Sequence, residues 1–488
     1  MDDFKYDNIL TEQPRNTIEF SKLPRTMKLG EKVIYSMIEN TEIILPKTGN
    51  ITYRQNNVIK YDISLQGQHL RFYVGPASYH SCKVTFIGTT AGDTGRGRFD
   101  SISNSVFKKW LFTGANELED IDQSHVLTNL LLDCLVNPYD RSNYYSFFGA
   151  SSAIGTTKSY FNNRDGYMFI DAEAQYFCQL IPSGLFGMGQ SRLVPLSAVP
   201  QGIKLSITCE TNQLALVAEN AAGVASYELS ECQLNVAYIE LSELLSRAVE
   251  ELYRNTYIIP FETYHHWGTS LAAGHRMATL NIPCDYKYVK GILGVFRSDT
   301  IVGSYTNRSL SCRAKAQLIE YQFRLGTQSF PSNSVVYLDT DAELQGSGYH
   351  GGNVARAAAA GGLLKKMDTR GMRELMKVFN NQAHPGASCS FSAAEFNSSG
   401  MIVSTREPAT DVIVDVDDSL GVGAFAVGCN FSPSIEEDIY RMTVNPSGQN
   451  IQFKYVFNAN LADALIVDFW LLMEADAIIE LGTMRVAF

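Results

Sequence analysis

At 488 residues the chain is long enough for roughly two to four domains, and with 45% hydrophobic residues it can bury full-sized cores. Its 40 basic and 51 acidic residues leave a formal charge of -11, which excludes wrapping nucleic acid by charge alone, because neutralising phosphates needs clustered Lys and Arg. Nine scattered cysteines, an odd number with no C-x-x-C pair, indicate neither a disulfide framework nor a zinc site and point to a reducing compartment.

Residues 1–45 are mixed in charge and punctuated by Pro14, Pro24 and Pro46, and they read as an N-terminal arm without the strongly basic character of an RNA-packaging tail. The start MDDFKYDNIL has no basic region followed by an apolar core, and the longest apolar run, Ala464 to Met473, is cut by Asp468. Neither a signal peptide nor a transmembrane segment is expected from this.

From Val58 the pattern is that of strands. Ile59, Tyr61, Ile63 and Leu65 alternate with Lys60, Asp62, Ser64 and Gln66, and Leu70–Val74 and Lys83–Ile87 follow. Residues 88–165 are less regular: a Gly-rich loop GTTAGDTGRGR, a helix around His125 to Leu135, and the aromatic run Tyr144-Tyr145-Ser146-Phe147-Phe148 read as long loops on a β-scaffold. Strands return at Tyr167–Ile170, Gln175–Leu180 and Gly202–Thr208.

The segment Leu234 to Leu252 begins as an alternating strand and changes phase. From Leu241 the apolar residues fall at Leu241, Leu244, Leu245, Ala248 and Leu252, one helical stripe, while Glu243, Arg247, Glu250 and Glu251 face elsewhere. A helix over 241–254 between two β-rich halves is what a junction between domains looks like.

The second half repeats the recipe. Strands are expected at His275–Ile282, Tyr286–Phe296, Ala316–Arg324, Ser334–Leu338, Gly423–Cys429, Asn450–Asn458 and Ala464–Leu472, and helices at Asn353–Lys366 and Arg370–Phe379. Ile451, Phe453, Tyr455 and Phe457 against Gln452, Lys454 and Asn458 form the clearest two-residue period, although Val456 spoils the polar face. Many short strands with turn signals and few helices are the pattern of β-sandwiches, jelly rolls included. The expected organisation is all-β: an arm (1–45), a first eight-stranded jelly roll (46–240), a linking helix (241–254) and a second eight-stranded jelly roll (255–488).

No motif carries catalysis. Asp93-Thr94-Gly95 has no second copy to make a carboxylate pair and reads as a solvated turn. Gly346 to Gly351 matches a dinucleotide fingerprint formally, but Asp339 to Gln345 separate it from the preceding strand, so it reads as a surface loop. His265-His266 beside Trp267 has no partner at metal-ligand spacing and reads as a loop beside an aromatic anchor. No enzyme activity, cofactor or metal is expected.

Two stretches, CQLIPSGLFGMGQSRLVPLSAVPQGIKLSITCE (178–210) and YELSECQLNVAYIELSELLSRAVEEL (227–252), resemble the double jelly-roll major capsid proteins of icosahedral DNA viruses, a group that includes algal giant viruses, virophages, polinton-like viruses and adintoviruses. The matching parts are Ile181-Pro182, Pro195-Leu196-Ser197-Ala198, Ile203 to Ile207 and Leu234 to Leu252, in that order; Tyr321 to Gly326 with Phe330-Pro331 is similar to the second roll of polinton-like members. The chain departs from some members at Phe396 to Gly400, where they carry Ser-Gly-x-Asn.

The resemblance implies a homotrimer forming a pseudo-hexameric capsomer in a virion, made in the cytoplasm or nucleus of a host cell, with neighbouring capsomers, penton and minor capsid proteins as partners. It implies no sequence-specific nucleic-acid binding. Loops near 88–165 and 339–352 would lie at trimer contacts or on the outer face. A carbohydrate-binding or glycan-processing β-sandwich and a single-roll coat protein with a projecting domain are the competing expectations.

Overall fold

The computed structural model describes residues 37–47, 52–67, 69–88, 96–100, 102–136, 168–169, 175–190, 192–218, 224–243, 246–247, 249–250, 256–286, 288–299, 302, 310, 313–316, 318–337, 370–379, 396, 405–406, 413–414, 425–431, 449–457, 460–461, 463–480 and 482–488. The expected helix at Asn353–Lys366 and the motifs at Asp93 and Gly346 lie outside these residues.

The first half contains β1 (Met37–Ile44), β2 (Thr52–Tyr53), β3 (Val58–Ile63), β4 (Arg71–Gly88), β5 (Arg96–Phe99), β6 (Phe107–Thr113), β7 (Glu117–Ile121), α1 (Ser124–Leu135), β8 (Met168–Phe169), β9 (Gln175–Gln179), β10 (Ile203–Cys209), α2 (Asn212–Ala215), β11 (Leu216–Ala218) and β12 (Val224–Leu241). One sheet has the order β1-β12-β4-β9 and the facing sheet β3-β10-β6-β7. The second half contains β13 (Thr256–Leu271), β14 (Met277–Ile282), β15 (Val289–Ser298), β16 (Leu318–Leu325), β17 (Gln328–Val336), α3 (Arg370–Val378), β18 (Thr405–Arg406), β19 (Ile413–Val414), β20 (Val427–Asn430), β21 (Ile451–Phe457), β22 (Leu465–Glu480) and β23 (Thr483–Ala487). Its sheets run β13-β22-β15-β20 and β14-β21-β16-β17.

Each half therefore pairs its first principal strand with its last, and its second with its next-to-last, in the same order. This is jelly-roll connectivity twice over, as expected from the sequence. Alternation makes the sheets two-faced: Ile451, Phe453, Tyr455 and Phe457 of β21 are buried while Gln452 and Lys454 face out. Each such apolar side chain taken from water contributes about 1.5–3 kcal/mol. In the first half, β5, β8 and β11, inserted after the third, fifth and seventh principal strands, join into a small sheet of their own in the order β11-β5-β8.

Four expectations are corrected. Residues 37–44, assigned to the arm, form β1, which pairs with β12 from Met37↔Leu241 to Ile44↔Leu234 and is the first strand of the first roll. The two expected strands at 70–74 and 83–87 are one, β4; its pairing with β12 jumps from Val74↔Ala237 to Tyr79↔Asn235, so that β4 bulges at Gly75 and Pro76 without ending. His265 and His266 lie inside β13, paired with Leu471 and Trp470, and not in a loop. The fifth strand of the second roll starts at Gln328, earlier than expected, because Gly326 takes a positive φ of 57° and turns a tight hairpin between Leu325 and Gln328.

The two rolls share strands. β13 and β22 pair along their whole length, Thr256↔Glu480 to Leu271↔Leu465. Leu271, Leu465, Val467 and Phe469 belong to the second core, whereas Tyr257, Ile259, Phe261, Ala475, Ala477 and Ile479 pack into the first. In the other direction, Val126, Leu127, Leu130, Leu131 and Cys134 of α1, a helix from the first roll, pack into the second core. α1 is buried from Ser124 to Cys134, its polar residues His125, Asn129 and Asp133 included.

Candidate functional site: the joint between the rolls

Where the rolls meet, polar groups are buried, and several of them are answered across the joint. Glu119 sits on β7, the edge strand of its sheet, with its carboxylate wholly buried. Thr263 of β13 donates its hydroxyl to Oε1 at 2.7 Å, the Gly184 N–H donates to the same oxygen at 2.8 Å, and the Ser183 hydroxyl donates to Oε2. The Leu185 N–H adds a longer bond at 3.4 Å, and Ser183 is itself held by the Phe186 N–H at 2.7 Å. Burial pushes the Glu119 carboxyl up, opposed by these donors. Gly184 is required here because a Cβ would come within 1.6 Å of the Glu262 carbonyl oxygen.

Further along, Asp468 of β22 is buried between Arg297 of β15 and His266 of β13. Arg297 Nη2 donates to Oδ2 at 2.7 Å and Nε at 3.2 Å, while His266 Nε2 lies 2.9 Å from Oδ1. Burial alone would raise the Asp468 pKa, but the guanidinium and the imidazole hold it down at about 2. The first roll reaches this cluster through Asp122, whose backbone oxygen accepts from Trp470 Nε1 at 3.4 Å and whose Oδ2 lies 3.9 Å from His266 Nδ1. Two more cross-joint contacts are buried. Arg313 meets Asp133 of α1 at 2.5 Å, and the Leu310 N–H donates to Asp100 at 2.6 Å.

The root of α1 is fixed to its own roll. Ser124 Oγ donates to the Phe107 carbonyl at 2.9 Å, and His125 Nε2 lies 2.8 Å from Glu210 Oε2. The Val126 N–H donates to His125 Nδ1 at 2.9 Å, which places the ring proton on Nε2, facing Glu210. Burial raises the Glu210 pKa, yet His125 and the Thr211 N–H outweigh it and hold the carboxyl at about 2. A carboxylate depressed in the folded state contributes stability that is present above its unfolded pKa of about 4.3 and is lost as pH falls through the folded value. Stability is expected to drop by about 3 kcal/mol for this group between about pH 4.5 and pH 2. Denaturant midpoints followed against pH check it: Glu210→Gln should lack that component, and an unchanged acid slope would refute the assignment.

Of the residues expected to pack a linking helix, Leu241 is the last residue of β12 and is buried in the first core. Leu244, Leu245, Ala248 and Leu252 lie outside the described residues. The helical residues described between them put Ser246 and Val249 on the buried side and Glu243, Arg247 and Glu250 on the exposed side. Ser246 Oγ accepts from the Leu70 N–H at 3.0 Å, tying this segment to the first roll. The joint residues Glu119, Ser183, Gly184, Thr263, His266, Arg297 and Asp468 formed no recognisable sequence pattern; the signals were the His265-His266 pair and a charged Asp468 interrupting an apolar run. Among the described residues no three His, Cys, Asp or Glu are grouped to hold a metal, and no helix is long and apolar enough to cross a membrane.

No protein-family model matches the chain, and no curated protein sequence matches it. Solved structures do. The chain is similar to the capsid of the virus PBCV-1 at 12% identity, covering 93% of this chain and 97% of that one, with a TM-score of 0.56. It is similar to the Faustovirus major capsid protein at 9% identity, covering 91% of each chain, with a TM-score of 0.52. A chain from the Sputnik virophage matches at 11% identity over 92% of this chain and 88% of its own, with a TM-score of 0.50. The fold of this chain is the double jelly roll of major capsid proteins.

Proposed function

We propose that this double jelly-roll chain is a major capsid protein, a structural subunit that trimerises into pseudo-hexameric capsomers tiling an icosahedral virion shell. The observation that carries the reading is the fold likeness to capsid proteins over nine tenths of this chain and of theirs, both rolls included. The joint supports it physically. A shell subunit must transmit load between its halves without hinging, and strands shared between two cores, with the buried Asp133–Arg313 pair across the seam, oppose hinge motion. The subunit acts without catalysis and places itself in the virion, with further capsomers, penton and minor capsid proteins as its partners.

Light scattering on the purified chain, followed by negative-stain imaging of the same peak, tests this. Three copies of the 54.1 kDa chain, about 160 kDa, with a six-lobed outline are expected. A monomer, or a dimer without that outline, would overturn the capsomer reading and leave a glycan-binding sandwich to be tried on glycan arrays.

A further inference from the structure

Three cysteines lie together inside the first roll. Cys82 of β4 and Cys232 of β12 stand on neighbouring strands of one sheet, Cys209 of β10 stands in the facing sheet, and all three are buried in the first core as free thiols. The ladder between β4 and β12 brings the first two face to face. It passes through Ser230↔Lys83 and resumes at Gln233↔Ser81, so Glu231 and Cys232 both stand opposite Cys82, a β-bulge. Glu231 takes a positive φ of 49° and turns its side chain out to Lys83, whereas Cys232 turns inward to the core. Among the described residues no other two cysteines stand opposite each other in a ladder.

Facing side chains of paired strands have Cβ atoms about 4.5–5.5 Å apart, and a disulfide needs about 3.5–4.5 Å, so joining this pair takes a shift of about 1 Å. A bulge, where the ladder is already interrupted, is where such a shift costs least. The facing sheet lies about 10 Å away, beyond the Cα separation of about 4.4–6.8 Å that a disulfide spans, which sets Cys209 apart from the pair. Gln179 Nε2 donates to the Cys82 sulfur at 3.3 Å, and the Cys232 thiol interacts with the same sulfur. Burial pushes the Cys82 thiol well up, and Cys232 pushes the same way. Thiolate is therefore scarce while the core is closed, and the pair reacts as the bulge opens.

We propose that Cys82 and Cys232 form an oxidation site: hydrogen peroxide converts the two thiols to a disulfide that staples β4 to β12 inside the first roll. One sulfur attacks the peroxide O–O bond and becomes a sulfenic acid, releasing water. The second sulfur then displaces that hydroxyl as a second water and forms the S–S bond. The peroxide takes up the two electrons, and both thiol protons leave in water. In a reducing compartment the pair stays open, and it closes once the folded chain meets an oxidant. The site lies within one chain, so it stands whatever the number of copies in the assembly.

The test uses the full chain, purified reduced and then exposed to hydrogen peroxide. Its mass should fall by about 2 Da, and peptide mapping without reductant should recover a peptide holding Cys82 joined to one holding Cys232. Cys82→Ser and Cys232→Ser should each lose the joined peptide, and Cys209→Ser should keep it. The oxidised chain should unfold several degrees above the reduced one, because the cross-link closes a long loop of the unfolded chain. Wild-type chain whose Cys82 and Cys232 remain free, gain only oxygen, or join to Cys209 overturns the site, and this readout needs no variant to fold. An oxidised chain that unfolds no higher than the reduced one overturns the staple.

Discussion

Asp468→Ala is expected to destabilise the chain by about 3–5 kcal/mol, the usual cost of removing one partner from a buried ion pair. The carboxylate receives Arg297 through two nitrogens and faces His266 in a site closed to water, so its loss leaves a buried guanidinium without its counter-charge. The pair itself need not be stabilising, because taking both charges out of water costs several kcal/mol before their attraction is counted. The double variant Asp468→Leu with Arg297→Met should therefore recover most of the loss. Urea unfolding of the single and double variants decides it; a single variant within about 1 kcal/mol of wild type would mean the site is wetter than its geometry shows.

Among the described glycines, Gly184 is the one whose replacement by alanine should be most damaging. The new Cβ would lie 1.6 Å from the Glu262 carbonyl oxygen, a backbone atom that cannot swing aside, so the 183–185 loop and β13 must part. Their separation breaks the hydrogen bonds that Gly184 and Thr263 make to Glu119, leaving a buried carboxylate short of donors. A loss of about 3 kcal/mol or more is expected. Calorimetry should also show the single unfolding transition split into two, as the rolls uncouple. A change that leaves the joint closed, Gly274→Ala, meets open space and is the control for glycine replacement, with only the cost of its positive φ of 85°.

The parts of this fold legible in the sequence are those governed by local periodicity. β21 declares itself because Ile451 to Phe457 alternate, and β10 because Ile203, Leu205 and Ile207 do, and a half-buried sheet allows no other phase. α1 was legible as a helix at about the right boundaries, yet it was read as part of a loop region. Nothing in SHVLTNLLLDCL says that its second face is covered by a distant half of the chain. β1 was missed because Met37 to Ile44 has no clean alternation; it is a strand by virtue of the partner β12 offers it.

The joint was less legible still. Ser183-Gly184-Leu185 entered only as part of the stretch that carries the family resemblance, while Glu119 and Thr263, 144 residues apart, meet through tertiary packing alone. His266 was weighed as a metal ligand and set aside, and its partner, Asp468, was noticed only as a charge inside an apolar run.

Local pattern alone shows that the chain is all-β, that its β-rich halves repeat one design and that a helix lies around His125 to Leu135, whereas Phe107 to Ile121, read there as loop, carry two strands of the first roll. The legible features follow from side-chain period and turn residues, which act over a few neighbours. That β13 and β22 serve both cores, that Met37 to Ile44 add a strand to the first roll, and that the Asp133–Arg313 pair is buried in the seam emerge only from the tertiary contacts. The reason is physical: desolvation, ion pairing and close backbone approach depend on which residues meet in space, and Asp133 and Arg313 meet only once both rolls are in place.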